Sequence, residues 1–164
     1  MAKAVEEVGF VHLHVHSSYS LLEGALKIPQ LADLAKADDQ SALALTDTGN
    51  LFGALEFADK LSSSGIQPII GCSLAVKFGD EPPTRTGFVQ RLPRIVLLAA
   101  NERGYRELMV LVSKSHLEVP DNSEPHVTLD WLAAHSEGLI ALTGGADGSI
   151  DKAITSDHPD LAKP

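Results

Sequence analysis

The chain has a single cysteine, Cys72, in 164 residues. No disulfide can form within it, and a reducing cytoplasmic setting is expected. It has no apolar run near the ~20 residues that a membrane-spanning helix needs, so no membrane association is expected. Residues 1–8 carry Lys3, Glu6 and Glu7 and lack the apolar core of a secretory signal. Positive charge is scarce: 13 Lys and Arg stand against 22 Asp and Glu, for a formal net charge of −9. Duplex DNA is gripped by clustered Lys and Arg, so this chain is not expected to be a main DNA-gripping surface. Its basic residues are scattered, with a mild concentration at Arg85, Arg91, Arg94, Arg103 and Arg106. No internal repeat or low-complexity tract is present. Gly144, Gly145 and Gly148 lack the spacing of a phosphate-binding P-loop and read as a turn.

What the chain does have is an ordinary globular composition. Apolar residues make up 44% and charged residues 21%, which suits one soluble domain of this length. Residues 10–15, 42–46, 68–76, 94–100 and 138–142 read as strands. Pro29 sits where a first helical turn begins, and Leu31, Leu34 and Ala35 follow at helical spacing. Leu55, Phe57, Ala58 and Leu61 predict a second helix that ends near residues 62–65. Asn101 is a fair N-cap for a third helix, with Tyr105, Leu108, Met109 and Val112 on one face. Residues 129–134 predict a short fourth. Residues 20–26 read as a loop or short helix and residues 120–125 as a loop. Residues 79–92, polar and carrying Pro82, Pro83 and Gly87, read as an inserted loop or hairpin. The tail from residue 155 to residue 164 has no clear pattern. Strands alternating with helices in this way predict an α/β fold with a parallel sheet.

Chemistry concentrates at His12, His14 and His16. Alternate side chains of a strand share a face, and two steps span roughly 6.6 Å, so neighbouring imidazoles could converge on a metal ion. One such histidine would be read as packing or capping. Three in alternation, followed by Ser17 and Ser18, point to a present or former metal site. Asp47 ends a predicted strand, where a carboxylate could reach His14 and His16; an Asx-turn is the plainer alternative. Glu23 could fold back as a further oxygen ligand, or be a solvated loop carboxylate. Mixed imidazole and carboxylate ligands suit Zn, Mn or Fe and would activate water for hydrolysis. Strand C-terminal ends, where these residues fall, are where α/β folds collect their active sites. His116, His126, His135 and His158 are dispersed and read as surface or capping residues. Cys72 has no histidine that the sequence places beside it, so it is not expected to be a nucleophile. Trp131 reads as a core or interface anchor.

Five segments then occur in order. They are residues 10–25 (FVHLHVHSSYSLLEGA), 44–57 (ALTDTGNLFGALEF), 65–72 (GIQPIIGC), 97–109 (LLAANERGYRELM) and 138–145 (GLIALTGG). Together they resemble the polymerase-and-histidinol-phosphatase (PHP) domain, in the form found at the N-terminus of the bacterial DNA polymerase III alpha-subunit family. The resemblance covers about residues 9 to 154. It implies a distorted seven-stranded (β/α) barrel of PHP type with a metal site at the strand C-terminal ends. It implies too that residues 1–164 are the N-terminal part of a PHP domain, with the remainder and the polymerase domains outside the chain. The whole protein would be a DNA-directed DNA polymerase using Mg, its catalytic carboxylates and its DNA contacts lying elsewhere, so no catalytic residue is expected here. The family's metal ligands map onto His14, His16, Glu23 and Asp47. Three positions depart: Thr48 where metal-bearing members usually have His, Ser73 where they have Glu, and Arg94 where they have His. An arginine at a ligand position repels a cation, and Arg94 is expected to pair with Asp47 or Glu23 instead. The resemblance therefore implies a degenerate site with at most one Zn or Mn. It implies a structural role, docking a proofreading exonuclease among other replicase subunits. The alternative is an active metal-dependent phosphoesterase or 3′–5′ exonuclease.

Overall fold

The computed structural model describes residues 9–79 and 91–155. Residues 1–8, most of the predicted 79–92 insertion with Arg85, and the tail with His158 lie outside the described residues. The fold is a mixed α/β sheet with helices packed against it. Its elements run α1 (Ile28–Ala37), β1 (Ala42–Leu45), α2 (Ala54–Ser63), β2 (Gln67–Lys77), β3 (Arg94–Ala99), α3 (Glu102–Leu117), β4 (Val127–Thr128), α4 (Leu129–Ala134), β5 (Leu139–Leu142) and α5 (Ser149–Thr155).

Local chemistry sets the helix ends. Pro29 occupies the first turn of α1, and the Gln30 side chain reaches back to the Lys27 N–H. Asn101 caps α3, its Oδ1 accepting from Gly104 N at 2.9 Å. Thr128 caps α4 by accepting from Trp131 N. The buried face of α1 is Ile28, Leu31, Ala32 and Ala35, while Leu34 is exposed. On α3 the buried face is Gly104, Leu108, Leu111 and Ser115. The predicted face is thus rotated: Leu111 is inside and Met109 is exposed, because the tight approach of Gly104 to Gly138 turns that side of the helix inward.

The sheet is not all parallel, which corrects the sequence expectation. Its backbone is β2, whose eleven residues are shared among three neighbours. Gln67 to Ile70 pair in parallel with β1, Gly71 to Ala75 pair antiparallel with β3, and Val76 and Lys77 pair in parallel with β4. β3 also pairs antiparallel with β5. Alternation along β2 sorts its faces. Cys72, Leu74 and Val76 join a core with Leu97, Leu108, Leu111 and Val127. Ser73 points the other way, toward the face of the smaller cluster of Ala44, Val96 and Leu98. A third cluster packs α1 and α2 on β1 through Leu31, Leu43, Leu45, Phe57 and Leu61.

The predicted first strand, residues 10–15, is not a regular strand. It runs beside β1, with Ala44 N donating to His12 O at 2.9 Å and Thr46 N to Val15 O at 2.8 Å. Two of its own N–H groups are diverted to side chains: His12 N to Gln40 Oε1 and Val15 N to Thr46 Oγ1. A ladder whose donors are captured in this way loses its regular register. Among the described residues no helix is long and apolar enough to cross a membrane.

Candidate functional site

The site forms where the 14–24 loop passes over the end of β1. Thr46 and Asp47 are fully buried there, and Thr48 continues alongside β2 through a bridge to Ser73. Gly49 N donates to Ser73 O, and Ser73 N donates to Asp47 O. The first strand's end and the middle of the longest strand therefore present one continuous polar ledge.

Two of the three alternating imidazoles meet. The His14 and His16 rings pack edge to face with centroids 4.8 Å apart. His12 does not join them; it is exposed and meets Phe10 edge to face with centroids 4.7 Å apart, on the far side of the bend at Leu13. His14 Nδ1 is held by Thr46 Oγ1 at 2.9 Å. Burial lowers the His14 pKa, and the neighbouring His16 lowers it further, against the pull of Asp147 and Glu23. Glu23 folds back, with Oε2 at 3.3 Å from His16 Nδ1 and accepting a hydrogen bond from the Thr48 hydroxyl. That hydroxyl holds the Glu23 carboxyl below its usual range despite some burial, and Arg94, His16 and Arg91 add to the effect. His16 Nε2 is buried with no hydrogen-bond partner among the described residues.

Asp47 is occupied differently from a metal ligand. Its Oδ1 accepts from Ser17 N at 2.7 Å and from Ser20 Oγ at 2.5 Å, and its Oδ2 accepts from Ser17 Oγ at 2.7 Å. The Arg94 guanidinium is half-buried and pairs with Glu124 at 3.1 Å. This corrects the expected pairing with Asp47 or Glu23. The second Glu124 oxygen accepts from Leu92 N, and the Glu124 carbonyl is bonded to His126 Nδ1 at 2.7 Å. The loop before β4 thus supplies, at Glu124, a carboxylate that reaches back to the start of β3.

A divalent cation can be tested against these donors. Both oxygens of Asp47 carry protein donors, Thr48 and Ser73 offer only hydroxyls, and a guanidinium stands at Arg94. Among the described residues, no group of three His, Cys, Asp or Glu side chains gathers in a way that could hold a metal ion. As arranged, these side chains do not fit a metal cluster.

Several participants were not singled out by the sequence. Ser17 is one, although its place directly after the histidine run was a signal that hydroxyl donors lie nearby. Ser20, Thr46, Glu124 and Asp147 had no local signal. His116 is exposed, as expected, yet its Nε2 bonds Gly49 O at 2.8 Å beside the ledge. His126 is buried rather than on the surface, since its ring nitrogen finds the Glu124 carbonyl. His135 follows α4 and pairs with Glu107 at 2.7 Å. Trp131 packs on the α3 core under the Lys114 ammonium. Cys72 is buried, and that burial pushes its thiol up to about 12, which leaves no nucleophile. The Gly144–Gly145 segment is the expected turn, with φ of 82° and 57°.

The sequence matches the PHP domain family over residues 12–164. It is 48% identical over 147 residues to DNA polymerase III subunit alpha of Caulobacter vibrioides, a match covering 89% of this chain and 13% of that protein. The same-named subunit of Treponema pallidum is 46% identical over 147 residues, covering 87% of this chain and 12% of the relative. The Escherichia coli K12 subunit is 37% identical over 153 residues, covering 92% and 12%. The chain spans about one eighth of the length of these curated relatives.

Proposed function

Because the chain belongs to the PHP domain family, we propose that it is the N-terminal portion of the PHP domain of a replicative DNA polymerase III alpha subunit, and that this portion is scaffold rather than catalyst. The observation that carries the second half is the state of Asp47, a buried carboxylate whose oxygens are taken up by Ser17 and Ser20. His14, His16, Glu23 and Asp47 are read as the remnant of a ligand set, with Thr48, Ser73 and Arg94 as its lost members. Later segments of a longer chain would complete a seven-stranded barrel on the present sheet. The whole protein would extend a primer by deoxynucleotide transfer, with Mg and DNA bound by domains beyond residue 164. The PHP portion would brace that polymerase and dock a proofreading exonuclease and other replicase subunits in the cytoplasm. The net charge of −9 supports a protein-docking surface over a DNA-gripping one.

A second reading, a phosphoesterase or 3′–5′ exonuclease, is favoured by one observation: among the described residues His16 Nε2 has no hydrogen-bond partner, beside Glu23. One experiment separates the two. The purified chain is given a primer–template with deoxynucleotides and Mg, and separately a chromogenic phosphodiester with Mn or Zn. The scaffold reading expects turnover of neither. Phosphodiester hydrolysis with one or more tightly bound ions per chain would replace it with the second reading.

A further inference from the structure

We propose that Asp47, Ser17 and Ser20 form a hydrogen-bonded clasp that closes the 14–24 loop onto the end of β1 without a cation. The loop's backbone bonds are mostly internal: Ser18 N to Leu26 O, Ser20 N to Ser17 O, and Gly24 N to Ser20 O. These shape the loop but tie it to nothing. His14 and Val15 bond Thr46, Glu23 accepts from Thr48, and Tyr19 O accepts from Asn50; the fully buried ties converge on one carboxylate. Ser17 gives Asp47 both its N–H and its hydroxyl, and Ser20 gives its hydroxyl. Each hydroxyl oxygen then accepts a backbone N–H in turn: Ser17 Oγ from Tyr19 at 3.1 Å, and Ser20 Oγ from Thr48 at 3.0 Å. The hydroxyl protons are thereby directed at Asp47, and the chain 17–20 is stitched to both 47 and 48.

A carboxylate 1% exposed would be costly to bury bare. Among the described residues it makes no ion pair. Three short hydrogen bonds to an ionised acceptor are the compensation, and such bonds are about twice as strong as neutral ones. Removing one hydroxyl leaves a buried oxygen short of a donor, the expensive half of a broken hydrogen bond. The clasp therefore assigns Asp47 a positioning role: with Ser17 and Ser20 it holds His16 and Glu23 over the ledge. The proposal deepens the scaffold reading and rests on it only in taking the clasp to suffice without metal.

The test compares thermal unfolding of the purified full chain with Ser17→Ala, Ser20→Ala, Asp47→Asn and His14→Gln. Each is measured in EDTA and in millimolar MnCl2. Amide exchange at Ser17 and Thr48 serves as a local readout. The two serine variants are expected to lower Tm by about 3–8 °C and to speed both amides. His14→Gln should shift Tm by no more than about 2 °C. The wild-type Tm should be the same in both buffers, since an ion that binds only the folded state would raise it. If Asp47→Asn does not fold, the serine variants still decide. Serine variants with unchanged Tm and unchanged exchange would overturn the clasp. So would a wild-type Tm several degrees higher in Mn that falls back on His14→Gln. Neither result depends on turnover, so failure of the clasp and failure of the scaffold reading are seen in different assays.

Discussion

The Arg94–Glu124 pair is open to a quantitative test. Its Nη2–Oε1 distance is 3.1 Å and its side chains are 17% and 21% exposed. It lies between the exposed ion pair, worth about 0–1 kcal/mol, and the buried one, whose breakage costs about 3–5 kcal/mol. Glu124→Gln strands a half-buried guanidinium but keeps an oxygen for Leu92 N, so a loss of about 2 kcal/mol is expected. Arg94→Met keeps the aliphatic stem and should cost about 1–2 kcal/mol. In the double variant neither charge is stranded, and the losses should fall short of their sum by about 1–2 kcal/mol. The same cycle between Arg94→Met and Asp47→Asn should show coupling under about 0.5 kcal/mol. The assay is urea unfolding of the four proteins in each cycle at constant salt. A coupling below about 0.5 kcal/mol with Glu124, or above about 1 kcal/mol with Asp47, would refute the assignment of Arg94's partner.

Two further outcomes follow from packing and burial. A methyl group at Gly104 would lie 1.8 Å from the Gly138 carbonyl oxygen, which also accepts from Ala100 N at 2.9 Å. Gly104→Ala should therefore destabilise by about 2–4 kcal/mol in urea unfolding, despite the ~1 kcal/mol gain in helix propensity; a variant as stable as wild type would contradict this packing. Cys72 keeps its proton in the fold until about pH 12, whereas the unfolded thiol loses it near 9.0. The group's contribution is thus complete below the unfolded value, and stability falls with rising pH between the two by at most about 1.4 kcal/mol per pH unit. Iodoacetamide at pH 8.5 should label Cys72 at the rate of unfolding, and fast labelling of the native protein would show an accessible thiol instead.

The parts of the fold legible in the sequence were those set by near neighbours. Asn101, Pro29 and the 129–134 helix each depend on bonds within a few residues, and each stands where the pattern put it. Strand direction depends on where the chain returns, and nothing within β3 says that it runs against β2 rather than with it. The 10–15 segment shows the same limit: its alternation is real, but Thr46 and Gln40, some thirty positions on, take donors that a ladder would use. At the site, His14, His16, Glu23 and Asp47 were visible as a set. The partners that decide what they do were not. Glu124 lies 30 positions from Arg94, and Ser20 lies 27 from Asp47. Such pairings leave no periodic trace.

Because the eleven residues of β2 are divided among three partners, that strand is the hinge pin of the molecule. Its first four residues belong with α1, α2 and the histidine loop, and its next five belong with β3 and the helix behind it. A proline at Ile70, or a slip of one position, would part these halves. Glu23 would leave with one and Arg94 with the other. The chemical neighbourhood at the ledge is kept in step by this uninterrupted run of backbone together with the bonds that join residues 47–49 to Ser73.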